Sequence, residues 1–525
     1  MDEPSIEEKR SGPDSVWADS LTRYPRVVLL GIACLSLVAA VWAFNPRTDL
    51  WDDNAEYIVL ARSILQGRWM QFINQPDSPR AERYAFGLPL LLAGIEALAP
   101  GNMLAMKVFV LVLFVFAMPV VYLLLRRALP GAFALAATIL TLLDPCLLPF
   151  SHQVMSEVPY LLASLLALIC LERAEEPAEA GRVRYLVAGA LLAVAATTIR
   201  VIGLSLFAGA ALWYLLRKEY RRGLVVAGVY LTVVLGLEVL GIGVIGPSYV
   251  QKALHQFRFG HIAERLLSKL SGFAFIPKAF FPTLQTSSPI VVVAMGMVLI
   301  GFLGVALRRM LVPCYLLVYV GLLAAWPSGG PQDRYLVPLT PFLLLCFFSG
   351  VSVATGFFLR WPRKLRPYAG PLVKGIVLLT AGVMMIFYLF TLADTKDDYS
   401  RLYGRGWESY FEAAEWLREN SPSEAIVAAR RPFLLHLASQ RKTIRVWFSV
   451  WTSSNPGLVL KHLTHYRVTF VVVDSLNDKT RRYLVPTINA HPELFAMVHI
   501  TFAMPPTYVF RIKDRTPTAR YALRP

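Results

Sequence analysis

The sequence predicts a polytopic α-helical membrane protein that carries a soluble α/β domain after its last span. Of its 525 residues, 56% are hydrophobic and only 17% are charged, and the mean hydropathy is +0.52. That composition is too apolar for a soluble chain of this length. Apolar runs long enough to cross a bilayer recur along residues 27–392, and an α/β pattern begins at about Asp394.

The apolar runs predict about eleven spans behind a polar tail, residues 1–26. Residues 27–44 are 18 uncharged residues, about enough to cross a bilayer core of roughly 30 Å. This run is too long for the apolar part of a signal peptide, so we expect an uncleaved anchor. The predicted spans lie near 27–44, 104–125, 131–149, 155–171, 185–199, 201–216, 224–246, 289–307, 310–326, 335–359 and 371–392.

The positive charge of the chain clusters at the ends of the spans. The formal net charge is +17, and six loops on one side of the predicted topology hold 19 lysines and arginines. The short loops on the other side, around 150–154 and 327–334, hold only Arg334. The positive-inside rule therefore predicts a cytoplasmic N-terminus and an exterior C-terminal domain, as in a bacterial inner membrane. Charges placed this way do not indicate a nucleic-acid partner.

Two predicted outer loops, 45–102 and 247–288, are long and contain basic residues. In 247–288 these basic residues stand beside six phenylalanines. This mixture suits a phosphorylated lipid, and it also suits ordinary contact with lipid headgroups.

Several other classes of site have no support in the sequence. All five cysteines lie in apolar segments without a CxxC or Cys/His spacing, so neither a disulfide framework nor a structural zinc site is indicated. A Gly-rich phosphate loop is also missing from the sequence, so nucleotide binding is not indicated.

Residues 393–525 are predicted to form the exterior α/β domain. An amphipathic helix around Trp407 ends at Ser421-Pro422, and Asn455-Pro456 opens another helix as its cap and first residue. Asp474 follows a buried strand, which is a position typical of ligand sites and also of solvated turns. The remaining elements are strands 425–429, 443–447, 468–473, 494–500 and 508–512 and helices 432–438 and 479–488.

Isolated ionisable residues near the span ends fall on the predicted outer side. Asp52, Asp53 and Glu56 follow the first span, on a short interfacial helix with Tyr57. We expect Asp53 or Asn54 to cap this helix, which leaves one carboxylate in excess. The others are His152 and Glu157 before the fourth span, Arg200 between the fifth and sixth, and Arg334 before the tenth.

Four motifs in this order resemble the GT-C membrane glycosyltransferases that use polyprenyl-phosphate-linked sugars. They are WDDNAEY from residue 51, YAFGLPLL from Tyr84, SEVP from Ser156 and RYLVP from Arg334. The closest likeness is to bacterial relatives of protein mannosyltransferases and of the lipid A aminoarabinose transferase, families 39 and 83. Those proteins often have an acidic residue followed by Glu in the first loop, so the Asp52-Asp53 pair leaves open which carboxylate is the key one.

The resemblance implies an inverting hexosyl- or pentosyltransferase that acts on the outer face of the membrane. Asp52 or Asp53 would accept the proton of the acceptor, and Glu157 would orient the acceptor or help to hold a divalent ion together with His152. Arginine guanidinium groups match the oxygens of the leaving phosphate. The implied phosphate contacts are Arg200, Arg334 and Arg83, and the implied substrate contacts are Glu56, Tyr57, Tyr84 and Tyr335.

Two other functions remain open at the level of sequence. The chain could be a transporter of a lipid or envelope precursor, or a scaffold that acts through its exterior domain. A transporter usually has repeated halves with polar groups at mid-bilayer, whereas the polar residues here lie at one rim. The pattern therefore favours an interfacial enzyme. The sugar, the acceptor (lipid, glycan or protein), the length of the lipid, the metal dependence and the oligomeric state are not specified by any motif.

Overall fold

The computed structural model describes residues 25–50, 52–176, 182–244, 288–325, 333–360, 366–400, 406–445, 455–476 and 478–513. They fall into two compact units. The first contains the described parts of Met1–Pro46, Glu82–Leu88 and Asn102–Tyr399. The second contains those of Arg47–Ala81, Pro89–Gly101 and Ser400–Pro525. The predicted loop 247–288 and the tail 1–26 lie almost wholly outside the described residues.

Thirteen helices occur in the described residues up to Ser400, and most of them are apolar. They are α1 Pro25–Ala43, α2 Asp52–Leu65, α3 Gly87–Leu98, α4 Met103–Leu125, α5 Gly131–Leu142, α6 Glu157–Arg173, α7 Arg182–Ile199, α8 Leu204–Leu216, α9 Tyr220–Val239, α10 Pro289–Leu307, α11 Leu311–Ala325, α12 Thr340–Arg360 and α13 Ala369–Ser400.

A helix is present at each of the eleven predicted spans. In the described part of the chain, seven helical segments are long and apolar enough to cross a membrane: α1, α4, α7, α9, α10, α12 with the turn before it, and α13. The helices α5, α8 and α11 are apolar but shorter. The structure thus confirms a multi-pass helical protein, while the count of eleven spans stays a prediction.

The helices of the first unit pack as helices in a lipid environment do. Large apolar side chains such as Phe116, Leu235 and Leu303 are more than half exposed, as expected of a surface that faces acyl chains. Where α10 crosses α12, Gly301 lies against the backbone of Cys346, and a Cβ there would be 1.6 Å from the Cys346 carbonyl oxygen. Glycine at this crossing lets the two backbones approach.

The second unit contains a five-stranded sheet with the order β2-β1-β3-β5-β4. The strands are β1 Ile426–Ala429, β2 Lys442–Arg445, β3 Phe470–Val473, β4 Phe495–Ile500 and β5 Tyr508–Ile512. The strands β2, β1 and β3 are parallel, and β5 and β4 add to them in antiparallel pairing. The helices of this domain are α14 Trp407–Asn420, α15 Pro432–Ser439, α16 Pro456–His465, α17 Asp478–Tyr483 and α18 Val485–Ala490.

Alternating strand residues place a core on each face of this sheet. On one face Val427 and Val472 pack with Tyr410 and Leu417 of α14. On the other face Ala428 and Val471 pack with residues of α16. Because successive side chains of a strand point to opposite faces, β1 and β3 must be apolar at every position, which explains their continuous apolar runs.

The first outer loop packs into the same compact unit as this sheet. Ala55 and Val59 of α2 are buried against Phe433 and Leu434 of α15. The side-chain amide of Asn74 donates to Thr443 Oγ1 at 3.1 Å, and the Thr443 amide donates to the Asn74 carbonyl at 2.7 Å. Asn74 is therefore hydrogen-bonded to the edge strand β2.

Two local predictions differ from the structure. The helix predicted at 479–488 is split into α17 and α18, because Pro486 stands in the first turn of α18 and has no N–H for a continuing helix. The interfacial helix begins at Asp52, so neither Asp53 nor Asn54 is its cap. The other described helices and strands of the exterior domain lie within a few residues of their predicted bounds.

Candidate functional site

The acidic pair lies in the first turn of α2. Asp52 and Asp53 occupy the start of the helix, where unpaired backbone N–H groups favour negative charge. Asn54, one of the two residues expected to supply the cap, donates from its side-chain amide to Asp49 Oδ2 at 2.7 Å. Both aspartates thus belong to the helix, and the directions of their side chains follow from helix geometry.

Asp52 and Glu56 contact two arginines of the exterior domain. Arg431 Nη1 lies 2.8 Å from Asp52 Oδ2. Arg445 Nη2 donates to Glu56 Oε1 at 3.0 Å and lies 3.5 Å from Asp52 Oδ2. Asp52 Oδ1 is buried and has no hydrogen-bond partner among the described residues. The four side chains form an ion-pair cluster, here called the acid–arginine cluster.

The two arginines stand at the carboxyl ends of parallel strands. Arg431 comes two residues after β1, and Arg445 of β2 pairs with Ala429, the last residue of β1. Ligands of open α/β sheets bind at this edge, and among the strand ends only that before Asp474 was predicted to be such a position. The same rule, applied to each predicted strand end, would have found Arg431 as well. Arg445 lies inside the strand predicted from Thr443 to Trp447, so the rule did not select it.

Asp474 is a buried structural residue. Its side chain is 1% exposed, Oδ1 accepts the Leu476 amide at 3.0 Å, and Oδ2 accepts the Thr480 hydroxyl at 2.8 Å. Burial raises the pKa of Asp474, and these hydrogen bonds oppose the increase. The solvated alternative is therefore wrong. With both oxygens bonded within the following turn, Asp474 holds the end of β3.

Asp53 and Tyr57 share a different face of α2 from Asp52 and Glu56. Residues four apart on a helix lie one above the other, and successive residues are rotated by about 100°. Asp53 is half-buried and Tyr57 is buried. The helix thus separates the two carboxylates of the acidic pair, and only Asp52 shares a face with Glu56.

In the first unit, Glu157 and Arg200 form a buried ion pair. Glu157 Oε1 lies 2.8 Å from Arg200 Nη1, and the two side chains are 1% and 8% exposed. Glu157 is the first residue of α6, and Arg200 lies in the turn after α7, as the sequence predicted.

Arg200 and Arg334 both lie against the ring of Tyr335. Their Cζ atoms are 5.1 and 5.5 Å from the ring centroid, within cation–π range. The carbonyl of Tyr335 accepts a hydrogen bond from the Tyr319 hydroxyl at 2.7 Å, which fixes the backbone beneath the ring. Three residues chosen from separate parts of the sequence, Glu157, Arg200 and Tyr335, are therefore adjacent in space.

The YAFGLPLL motif contacts the same turn through Gly87. A Cβ at Gly87 would lie 2.7 Å from the carbonyl carbon and oxygen of Thr198. Only glycine permits this approach to the segment that leads into Arg200. Tyr84 is half-buried and Arg83 is exposed.

His152 lies in a buried environment that sequence reasoning underestimated. It is 2% exposed, and its ring centroid is 5.7 Å from that of Phe44. Burial, with a smaller effect from Lys107, lowers the pKa of His152 to about 3. Among the described residues, no group of three or more His, Cys, Asp or Glu side chains is arranged to hold a metal ion. The metal role of His152 with Glu157 therefore lacks a third ligand there.

Sequence reasoning also missed Lys107 and Asp144 within the first unit. Lys107 is fully buried in α4. A single lysine in that long apolar run could have been identified from the sequence as a candidate functional residue. Asp144 is fully buried as well, and its Oδ2 accepts the Thr340 hydroxyl at 2.8 Å. The structure thus adds two buried charged groups to those that the motifs singled out.

The chain matches one family model and several solved structures. Residues 84–242, which include Tyr84, Glu157 and Arg200, match the model of the dolichyl-phosphate-mannose-protein mannosyltransferase family. No curated protein sequence matches significantly.

Two of the similar solved structures contain a polyprenyl phosphate. One is the archaeal oligosaccharyltransferase AglB from Archaeoglobus fulgidus in complex with an inhibitory peptide and a dolichol-phosphate. It is 14% identical, with a TM-score of 0.55, over 94% of this chain and 75% of that chain. The other is ArnT from Cupriavidus metallidurans bound to undecaprenyl phosphate. It is 15% identical, with a TM-score of 0.58, over 93% of this chain and 98% of that chain. At such identities the similarity establishes a shared fold.

Proposed function

This chain has the GT-C fold, and from that premise we propose that it is a glycosyltransferase that uses a polyprenyl-phosphate-linked sugar. The observation that carries the proposal is the family match over residues 84–242, which contains the buried Glu157–Arg200 pair. Similar structures hold dolichol-phosphate or undecaprenyl phosphate. The acceptor is an envelope lipid, glycan or protein on the outer face of a bacterial inner membrane.

The reaction is an inverting transfer of a hexosyl or pentosyl group. The acceptor hydroxyl or amine attacks the anomeric carbon, its proton passes to a carboxylate, and the bond to the polyprenyl phosphate breaks. A general base contributes about 10²–10⁴-fold to such a step. The leaving phosphate gains charge that arginine guanidinium groups stabilise.

Asp53 is the base in this proposal. Asp52 Oδ2 is engaged by Arg431 and Arg445, whereas Asp53 lies on another face of α2 with Tyr57. Among the arginines, Arg200 and Arg334 contact the donor phosphate beside the Tyr335 ring, and exposed Arg83 adds a weaker contact. Glu157 holds Arg200 in place and orients the acceptor.

The test is a transfer assay with purified protein and a radiolabelled sugar. The sugar is supplied either on a polyprenyl phosphate or as a nucleotide sugar without a lipid carrier. We expect turnover only of the lipid-linked form. Asp53→Asn should lower kcat by about 10²–10⁴-fold. Asp77→Asn, in the same outer loop but outside the proposed site, is the matched control and should keep full activity.

Three other results would contradict parts of this proposal. Turnover of the nucleotide sugar would refute the lipid-linked donor. Full activity of Asp53→Asn would refute the assignment of the base. Failure of the wild-type protein to transfer any lipid-linked sugar, together with movement of such a lipid across proteoliposome membranes, would support a transporter instead.

A further inference from the structure

We propose that Arg431 and Arg445 are positioning residues that hold α2 in the rotation that presents Asp53 for catalysis. The inference rests on the proposed function, because it concerns the same carboxylate. It assigns a catalytic task to the exterior domain, whose strand ends supply both arginines. The arginines act through Asp52 and Glu56 and do not touch the reacting atoms.

The two arginines share their contacts with Asp52 and Glu56. Asp52 Oδ2 meets Nη1 of Arg431 and Nη2 of Arg445, and the same Nη2 also meets Glu56 Oε1. One guanidinium therefore bridges two carboxylates that are one helical turn apart. A bridge of this kind resists rotation of the helix about its axis, since rotation would move the carboxylates away together.

The acid–arginine cluster is partly buried. The side chains of Asp52, Glu56 and Arg445 are 14%, 7% and 16% exposed, so solvent screens their attraction less than at an open surface. Two carboxylates face two guanidinium groups in this cluster. A partly buried cluster of this kind depends on its members, because the loss of one leaves an opposite charge with fewer partners.

An aromatic ring lies against each of the two arginines. Arg431 Cζ lies 5.9 Å from the Trp407 ring centroid, and Arg445 Cζ lies 5.6 Å from that of Phe433. Phe433 also packs against Ala55 of α2. The rings limit the positions open to the guanidinium groups, so the arginines form a rigid support.

Rotation of α2 about its axis would displace the carboxylate of Asp53. Asp53 follows Asp52 by about 100° around the helix, and a misplacement of about 1 Å at a reacting group can cost roughly 10²-fold in rate. Loss of the cluster should therefore lower kcat while the binding of the donor persists. A substrate-binding arginine would instead raise KM for the donor.

The experiment compares Arg431→Gln and Arg445→Gln with Arg445→Lys in the full-length protein. We expect both glutamine variants to lower kcat by about 10–10²-fold with little change in KM. The lysine variant, which keeps the charge but not the bridge, should recover part of the loss. Arg418→Gln, which removes an exposed arginine of α14, is the matched control and should keep full activity.

A thermal-unfolding cycle with Asp52→Asn and Arg431→Gln tests the cluster without activity. The two changes should be strongly non-additive, because they remove the same ion pair. Additive effects would overturn the inference, as would full activity of both glutamine variants or a loss confined to KM. An inactive wild type combined with a non-additive cycle would instead refute the proposed function and leave the cluster established.

Discussion

The buried Glu157–Arg200 pair allows a sharp prediction about stability. Glu157→Gln keeps the size and shape of the side chain and removes its charge. Arg200 would then remain 8% exposed with its partner carboxylate gone. The cost of breaking a buried pair by removing one partner is about 3–5 kcal/mol, because an uncompensated charge stays in a medium of low dielectric constant.

The contact between Arg200 and the Tyr335 ring does not replace the lost carboxylate. The Tyr335 ring at 5.1 Å offers a cation–π contact worth about 0.5–2 kcal/mol, but that contact exists before and after the substitution. The expected loss is therefore close to the full range of about 3–5 kcal/mol for a broken buried pair. Replacement of both partners, Glu157→Gln with Arg200→Gln, should recover a large part of it, since no buried charge is then left alone.

An exposed pair in the same chain serves as the control. The side chains of Arg418 and Glu415 on α14 are 42% and 65% exposed, and Arg418 Nη2 lies 3.8 Å from Glu415 Oε1. Such pairs contribute about 0–1 kcal/mol, so Glu415→Gln should change stability little. The assay is thermal unfolding of the purified protein in detergent, followed by tryptophan fluorescence. The reasoning is refuted if Glu157→Gln costs no more than Glu415→Gln, or if the double variant is no more stable than Glu157→Gln.

Two further predictions concern the same turn and the orientation of the chain. Gly87→Ala should lower both thermal stability and kcat, because its Cβ would lie 2.7 Å from the Thr198 backbone; Gly94→Ala, with open space around its Cβ, should change neither, and equal behaviour would refute the contact. Protease added outside intact spheroplasts should cleave within residues 406–513, whereas protection of this segment would reverse the proposed orientation.

The order of elements was predictable because its causes are local. Apolar runs, capping residues and the alternation of side chains in strands act over a few residues, so helices such as α1 and strands such as β3 follow from the sequence. Asn455 illustrates this: its side chain accepts the Gly457 amide at 2.9 Å, the cap that the Asn-Pro pair predicted.

The pairing of distant residues was not predictable in the same way. Glu157 and Arg200 were each chosen because an ionisable group at a span end is unusual, but nothing in their spacing shows that they meet. Their contact depends on how α6 and α7 pack, and Gly87 contributes through a close approach that no periodicity encodes. The strand-end rule could have identified Arg431, but it could not identify its partner Asp52, which lies on a helix.

The acid–arginine cluster also changes how the acidic pair should be interpreted. The sequence predicts that one of two adjacent carboxylates exceeds what helix capping needs, and that the excess carboxylate is catalytic. The structure assigns a use to one of them that is not capping, because Asp52 binds Arg431 and Arg445. An excess of carboxylates therefore does not by itself indicate a base. What distinguishes the two is the helix face, since Asp52 shares a face with Glu56 and both are engaged by arginine, whereas Asp53 lies on the next face with Tyr57.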